Sequence, residues 1–194
     1  MENAHNLYAR ALQLLEQQRY EQSITLLRRA LEQDPDMVEA RMNLGQALYA
    51  VGKYEDAETQ FEAVVRMRPD YGPGRHALGE VLLVLEKYKD AEEQLLAASR
   101  LMPEDPEVFL DLGTLFHLTG NLEQAASALR RAASLRQDHS WTRFCLAMVL
   151  KDMGRLNDAL RQIEETIRLG NDSAPVLEMR SSLRNSLKHS SAKE

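Results

Sequence analysis

Apolar side chains along this chain recur three and four positions apart, in segments separated by polar and turn-forming residues. The clearest example is residues 39–67, where EARMNLGQALYAV is followed by Gly52-Lys53 and then by YEDAETQFEAVVRM. This spacing places the apolar side chains on one face of each segment if both are helical. Glycine favours a helix end because it can adopt the left-handed conformation. The pattern therefore predicts two amphipathic helices joined by a short turn.

The helix pair recurs along the chain with a constant step. One column of large side chains advances by 34 each time (54 − 20, 88 − 54, 122 − 88 and 156 − 122). Its members are Tyr20, Tyr54, Tyr88, Leu122 and Leu156. A second column is small: Ser23, Ala57, Ala91, Ala125 and Ala159. A third is large again: Leu27, Phe61, Leu95, Leu129 and Ile163. Such a step indicates helix pairs that bury their apolar faces by stacking on their neighbours.

Glycines within the predicted first helices indicate a close helix crossing. Gly45, Gly79 and Gly113 occupy one column, although glycine costs roughly 1 kcal/mol relative to alanine in a helix. We interpret the small column, including Ala91, as the other half of that crossing. A leucine at Ala91 is then predicted to overpack the interface, at a cost of about 1–3 kcal/mol.

With this step, the columns resemble those of the tetratricopeptide repeat (TPR) family. The best-matching residues are Leu44, Gly45, Tyr54, Ala57, Phe61 and Pro69. The resemblance implies an all-α, right-handed superhelical solenoid. We expect a single domain over residues 1–189, with units at 4–37, 38–71, 72–105, 106–139 and 140–173. A capping helix is predicted over 174–189 and a disordered tail over 190–194.

Composition and charge narrow the class of protein. The 194 residues carry a net charge of −6, which favours neither nucleic acid nor an anionic membrane, although a local basic patch is compatible with it. No apolar run is long enough to cross a bilayer. The stretch MENAHNLYAR lacks the basic segment and apolar core expected of a secretion signal, and the single Cys145 excludes an internal disulfide framework. We therefore expect a cytoplasmic protein that neither binds nucleic acid nor inserts into membranes.

No arrangement of residues in the sequence indicates catalysis. The nine glycines belong to the crossing, turn and junction positions, so none remains for a phosphate-binding loop. The five histidines lack metal-ligand spacing, and Cys145 is expected to be a packing residue. The sequence predicts a non-enzymatic protein without cofactor or metal.

The resemblance also implies that partners bind the concave face, which the first helices of the units line. Column by column, this mapping gives the candidate groove residues Tyr8, Met42, Asn43, Tyr49, His76, Leu83, Leu110, His117, Phe144 and Met148. Repeated large apolar side chains at outward sites favour a binding patch. The alternative is that several of them belong to the core between units. For Leu110 and Met148 the two interpretations are equal, whereas Tyr49 and Leu83 favour the groove.

Two further features bear on the partner. Chaperone-binding members of the family grip a terminal carboxylate with Lys, Asn and Arg side chains, but only Asn43 matches, so this clamp is predicted to be absent.

Arg41, Arg75 and Arg143 share a column. They either meet an acidic stretch of a partner or, as we favour, pair with local Glu and Asp side chains or lay their stems over the neighbouring helix.

The sequence thus predicts a scaffold or adaptor that captures a segment of a partner, a protein or peptide with apolar side chains. A homo-oligomeric scaffold is one alternative, since the terminal helix carries an apolar stripe. A regulatory subunit of an enzyme complex is another.

Overall fold

The computed structural model describes residues 2–191, with side chains through residue 189. It contains eleven α-helices and, within these residues, no strand. The predicted all-α repeat fold is confirmed. Each odd-numbered helix begins where a predicted unit or the capping helix begins. The helices are α1 (Ala4–Glu16), α2 (Tyr20–Gln33), α3 (Val38–Ala50), α4 (Tyr54–Met67), α5 (Gly72–Val84), α6 (Tyr88–Leu101), α7 (Pro106–Leu118), α8 (Leu122–Leu135), α9 (Ser140–Asp152), α10 (Leu156–Arg168) and α11 (Ala174–Ser191).

The helices form two compact units, each larger than one repeat: residues 1–101, called the first unit from here on, and residues 102–194, called the second unit. In the first, α1 packs on α2, α3 on α4 and α5 on α6, and α2 and α4 also pack on the helix that follows them. In the second, α7 packs on α8, α8 on α9, α9 on α10 and α10 on α11. Each unit therefore buries its apolar faces between sequence-adjacent helices, as stacked repeats do.

The core of both units comes from the columns read in the sequence. The large column that contains Leu95 and Leu129 is at most 2% exposed in every repeat, and the alanines of the small column are fully buried. At the turn between the paired helices, Gly52, Gly120 and Gly154 have positive φ. Gln18 and Glu86 occupy the same turn position with φ values of 58° and 57°. The chain therefore uses the left-handed conformation there even without glycine.

The helix crossing differs in one respect from the prediction. A Cβ added at Gly79 would lie 2.6 Å from Leu95 Cγ, and one at Gly45 would lie 2.4 Å from Phe61 Cε1. Leu129 stands in the same relation to Gly113. The side chain that fills the space left by glycine is therefore the large column, and not the alanine column. The small column still lies close to the first helix of its repeat. In the first repeat, for example, the Ser23 hydroxyl donates to the Ala11 carbonyl at 3.0 Å.

The terminal helix covers the last repeat. Val176 and Leu183 of α11 are each 1% exposed, and Arg184 pairs with Glu164 of α10 at 2.9 Å. The helix ends at Ser191, beyond the predicted end at residue 189, and the rest of the predicted tail lies outside the described residues. The apolar stripe of α11 consists of Val176, Met179, Leu183 and Leu187, and only the first and third are buried. With half of its stripe buried, α11 offers less surface for self-association than the sequence indicates.

Candidate functional site

Three of the ten predicted groove residues are buried. Met42, Leu110 and Phe144 are 8%, 8% and 7% exposed, so their side chains offer little area to a partner. The alternative interpretation, that some groove positions belong to the core, accounts for their burial. The other seven are half-buried: Tyr8, Asn43, Tyr49, His76, Leu83, His117 and Met148.

In the first unit, the predicted residues Tyr8 and Asn43 contact each other. The Asn43 amide donates to the Tyr8 hydroxyl at 2.9 Å. Burial raises the pKa of Tyr8, the hydrogen bond from Asn43 opposes that rise, and Glu39 and Tyr71 add to it. The Tyr8 phenol therefore stays protonated near neutral pH and keeps its hydrogen available for donation.

Tyr49 is held by an aromatic contact in the same unit. Its ring meets that of Tyr54 edge to face, with centroids 5.3 Å apart and an interplanar angle of 68°. Because Tyr54 lies at the start of α4, this pair links the end of α3 to the next helix. Leu83 and His76 lie on α5, where the structure leaves both half-buried.

In the second unit, His117 and Met148 line one pocket together. The pocket has a volume of about 210 Å³. Its walls come from α7, α8 and α9. The lining residues are Gly113, Thr114, His117, Leu118, Leu129, Trp141, Cys145 and Met148. Most of them are apolar, so the pocket suits an apolar group of a ligand.

Two exposed apolar residues that the sequence analysis missed line this pocket. Trp141 is 51% exposed and Leu118 is 57% exposed, so together they form an exposed apolar patch. The Trp141 ring lies against Phe144, with centroids 5.5 Å apart. A sequence signal for Trp141 existed, because its column otherwise holds His5, Glu39, Pro73 and Glu107. An aromatic ring in a column of polar residues and proline has no packing role that the repeat requires.

Polar groups border the same pocket. His117 Nε2 lies 2.7 Å from Asp152 Oδ2, which fixes the imidazole at the ends of α7 and α9. Cys145 is 6% exposed, and burial raises the pKa of its thiol to about 12. The thiol is therefore protonated at neutral pH and unreactive as a nucleophile.

The arginine column makes contacts that neither sequence interpretation named. Arg75 donates through Nε to the Pro69 carbonyl at 2.6 Å and through a terminal nitrogen to Gln94 at 2.8 Å. Arg41 and Arg143 make the equivalent bonds. These guanidinium groups thus hold the loop before their own helix to the second helix of the repeat, in place of the predicted local acidic partner.

Phe109 interrupts this column, and a different arginine binds the corresponding carbonyl. Arg131 of α8 donates to the Pro103 carbonyl at 2.9 Å. Its guanidinium also lies over the Phe109 ring, 5.8 Å from the centroid. The same carbonyl position is therefore bound in four repeats, from two different helices.

Neither a metal site nor a membrane span is found in the described part of the chain. No cluster of three or more His, Cys, Asp or Glu side chains could hold a metal ion there. None of the described helices combines the length and apolar character needed to span a bilayer.

The chain has the same fold as several solved structures. MamA 41-end from Desulfovibrio magneticus RS-1 superposes with a TM-score of 0.82 at 23% identity, over 88% of this chain and 97% of that one. YrrB, a TPR protein with a peptide-binding site described as unusual, gives 0.79 at 23% identity, over 93% of each chain. TTC0263, a thermophilic TPR protein of Thermus thermophilus, gives 0.68 at 26% identity, over 95% of this chain and 98% of that one.

Sequence comparison agrees with the structural one. No curated protein matches the chain significantly. The tetratricopeptide repeat family model matches residues 8–72 and 76–139, which is more than half of the chain. Together with the helix pairs and their 34-residue columns, this match shows that the chain belongs to the tetratricopeptide repeat family.

Proposed function

We propose that this protein is a non-enzymatic interaction scaffold that binds an apolar segment of a protein partner on the face formed by the first helices of its repeats. Family membership supports an interaction scaffold in general, since TPR proteins are generally of that kind. The observation that carries the specific proposal is the pocket of about 210 Å³ with Trp141 and Leu118 at its edge. YrrB, which shares the fold, has a peptide-binding site.

The pocket has the features of an anchor site for one large apolar side chain. Exposed tryptophan and leucine lose unfavourable contact with water when a partner covers them. His117 and Asp152 supply polar groups at the border, where a partner backbone can donate or accept hydrogen bonds. The helices that carry these residues are already folded, which limits the entropic cost of binding.

Cytoplasmic location and the absence of a carboxylate clamp remain parts of this proposal. The bond from Asn43 to Tyr8 supports the second, because it engages one amide hydrogen of the asparagine that matches the clamp.

The test is affinity capture from the native lysate at physiological salt with two matched variants. Leu118→Glu places a charge at the pocket. Val84→Glu makes the same change one repeat earlier (118 − 84 = 34), at a valine that is 42% exposed and outside the pocket. We expect a partner that the parent and Val84→Glu retain and Leu118→Glu loses, after circular dichroism shows equal helicity.

Trp141 provides a second readout, because it is the only tryptophan in the chain. A peptide from the captured partner is expected to shift its fluorescence emission to shorter wavelength as the indole leaves water. Equal capture by both variants together with unchanged emission would contradict the pocket. Recovery of only the protein itself would instead favour the homo-oligomeric scaffold, and a stoichiometric enzyme would favour a regulatory subunit.

A further inference from the structure

A second pocket in the unit formed by residues 102–194 is polar and basic. It has a volume of about 300 Å³ and lies between α8, α9 and α10. Arg130 and Ser134 of α8 and Arg143 of α9 line it, and no acidic side chain is among its lining residues. Arg143 and Leu146 face this pocket, whereas Trp141, Cys145 and Met148 face the apolar one. At about 100° per residue these two sets lie on opposite faces of α9.

Arg143 keeps unused hydrogen-bond donors in this pocket. Its guanidinium donates through Nε and one terminal nitrogen to the Gln137 carbonyl, and through the other terminal nitrogen to Gln162. A guanidinium has five N–H groups, so these three bonds leave two for a ligand. The same bonds fix the orientation of the group before any ligand arrives.

Arg130 has no bonding partner among the described residues. At the equivalent position 102 residues earlier, Arg28 pairs with Asp56. The residue that corresponds to Asp56 is Asp158, but Arg155 and Arg161 bond to it instead. The hydrogen bond from Arg161, followed by that from Arg155, holds the pKa of Asp158 below its usual value. Asp158 is therefore charged but already paired, and the charge of Arg130 remains uncompensated.

The equivalent pocket in the other unit shows the contrast. It has about 320 Å³ and is lined by Arg28, Glu32 and Arg41 at positions 102 residues earlier (130 − 28, 134 − 32, 143 − 41). Glu32 takes the place of Ser134, and Arg28 pairs with Asp56 at 3.4 Å. In one unit the pocket arginine Arg28 is thus paired with a carboxylate, whereas in the other the equivalent Arg130 has no such partner among the described residues.

A carboxylate of α10, Glu165, interacts electrostatically with Arg143. Glu165 bonds to Arg168, and that bond, with a smaller contribution from Arg143, holds the pKa of Glu165 below its usual value. Arg168 is the main partner of Glu165, so Glu165 offsets only a small part of the positive charge of Arg143. The whole chain carries −6, so attraction of an anion depends on this local arrangement.

We propose that Arg130 and Arg143 form a binding site for an oxyanion, carboxylate or phosphate, carried by an acidic peptide segment. Guanidinium groups match the planar, two-oxygen geometry of such anions. The open pocket between helices admits a side chain that projects from an extended segment. This site is independent of the apolar pocket, so one partner, or two, can engage both faces of α9.

The experiment measures fluorescence anisotropy of two labelled peptides, one rich in glutamate and one in which phosphoserine replaces some of the glutamates. Arg130→Gln removes one guanidinium that supports no contact among the described residues. Arg28→Gln makes the same change in the charge-compensated pocket. We expect Arg130→Gln to weaken binding of the better peptide roughly tenfold, the loss of one charge-assisted hydrogen bond. Arg28→Gln should bind as the parent does.

Two further variants complete the test. Ser134→Glu recreates the acidic residue of the other pocket and is expected to abolish binding, while Trp141→Ala should leave it unchanged. The peptide that depends on Arg130 identifies the anion as carboxylate or phosphate. Equal weakening by Arg130→Gln and Arg28→Gln, no binding of either peptide, or loss of binding in Trp141→Ala would overturn the proposal.

Discussion

At the scale of single residues, the turn between paired helices requires a left-handed backbone in every repeat. Gln18 and Glu86 adopt it with φ near 58° and 57°, whereas three other repeats have glycine there. A residue with a Cβ pays about 1–2 kcal/mol for this conformation, and glycine loses more entropy on folding. The balance still favours glycine at these turns.

We predict that Glu86→Gly raises the free energy of unfolding by about 0.5–1 kcal/mol. Gly120→Ala is the matched opposite change at φ 78° and should lower it by about 1 kcal/mol. Urea unfolding followed by circular dichroism measures both. A decrease in stability for Glu86→Gly would show that its side chain contributes more than the turn conformation costs.

The tight packing of the small column gives a second residue-scale prediction. Ala91 is fully buried and lies on α6 with Leu95, which closely approaches Gly79. We expect Ala91→Leu to lower the free energy of unfolding by about 1–3 kcal/mol because the helices must separate. The control Glu93→Leu places the same side chain at an exposed position of the same helix and should change stability by less than about 0.5 kcal/mol. Equal unfolding midpoints for the two variants would show that the structure around Ala91 has room for a larger side chain.

At the scale of helices, arginine side chains tie the loops between repeats to the helices beside them. The Arg75 bonds to Pro69 and Gln94 span the start of α5 and the middle of α6. Arg131 performs the equivalent function for Pro103, from α8. The carbonyl groups that accept these bonds lie in the loops, two residues beyond the ends of α4 and α6.

We therefore predict that Arg75→Met and Arg131→Met each lower the free energy of unfolding by about 0.5–1.5 kcal/mol, the net contribution of a typical intramolecular hydrogen bond, because water can replace the lost donor at these exposed carbonyls. Arg66→Met, at an exposed position of α4, should change it by less than about 0.5 kcal/mol. Thermal unfolding compares the three. If Arg131→Met unfolds at the same temperature as Arg66→Met, the bond from Arg131 to the Pro103 carbonyl does not contribute measurably to stability.

The helices were predictable from sequence to a greater degree than these contacts. A fixed 34-residue step identifies the repeats, because one buried column after another must keep its register. The contacts of Arg75 were not predictable, since its acceptor is a main-chain carbonyl and no residue type marks such a group. Trp141 escaped notice for a different reason. Its exposure depends on which side of α9 the neighbouring helices cover, and the apolar pattern of α9 runs almost all round the helix.

At the scale of the whole molecule, each of the two compact units has its own buried core. In residues 102–194 that core includes Val108, Leu115, Leu129, Ile163 and Leu183, all at most 1% exposed. Repeat arrays of this kind generally need about three repeats for stability. The second unit has two helix pairs, so α11 supplies the third layer through Val176 and Leu183.

We predict that residues 102–194 fold by themselves, with a helical circular dichroism spectrum and a cooperative unfolding transition, whereas residues 102–173 do not. Removing α11 exposes the apolar face of α10. Apolar residues recur three and four positions apart in α10, which places them on one side of the helix and the charged residues on the other. Trp141 fluorescence follows the same transition from within the unit. Val176→Asp in the longer fragment should reproduce the loss, because it buries a charge against α10, while Glu178→Ala at an exposed position of α11 should not. Equal cooperativity of the two fragments would mean that two helix pairs suffice, and that α11 serves to cover apolar surface without being required for folding.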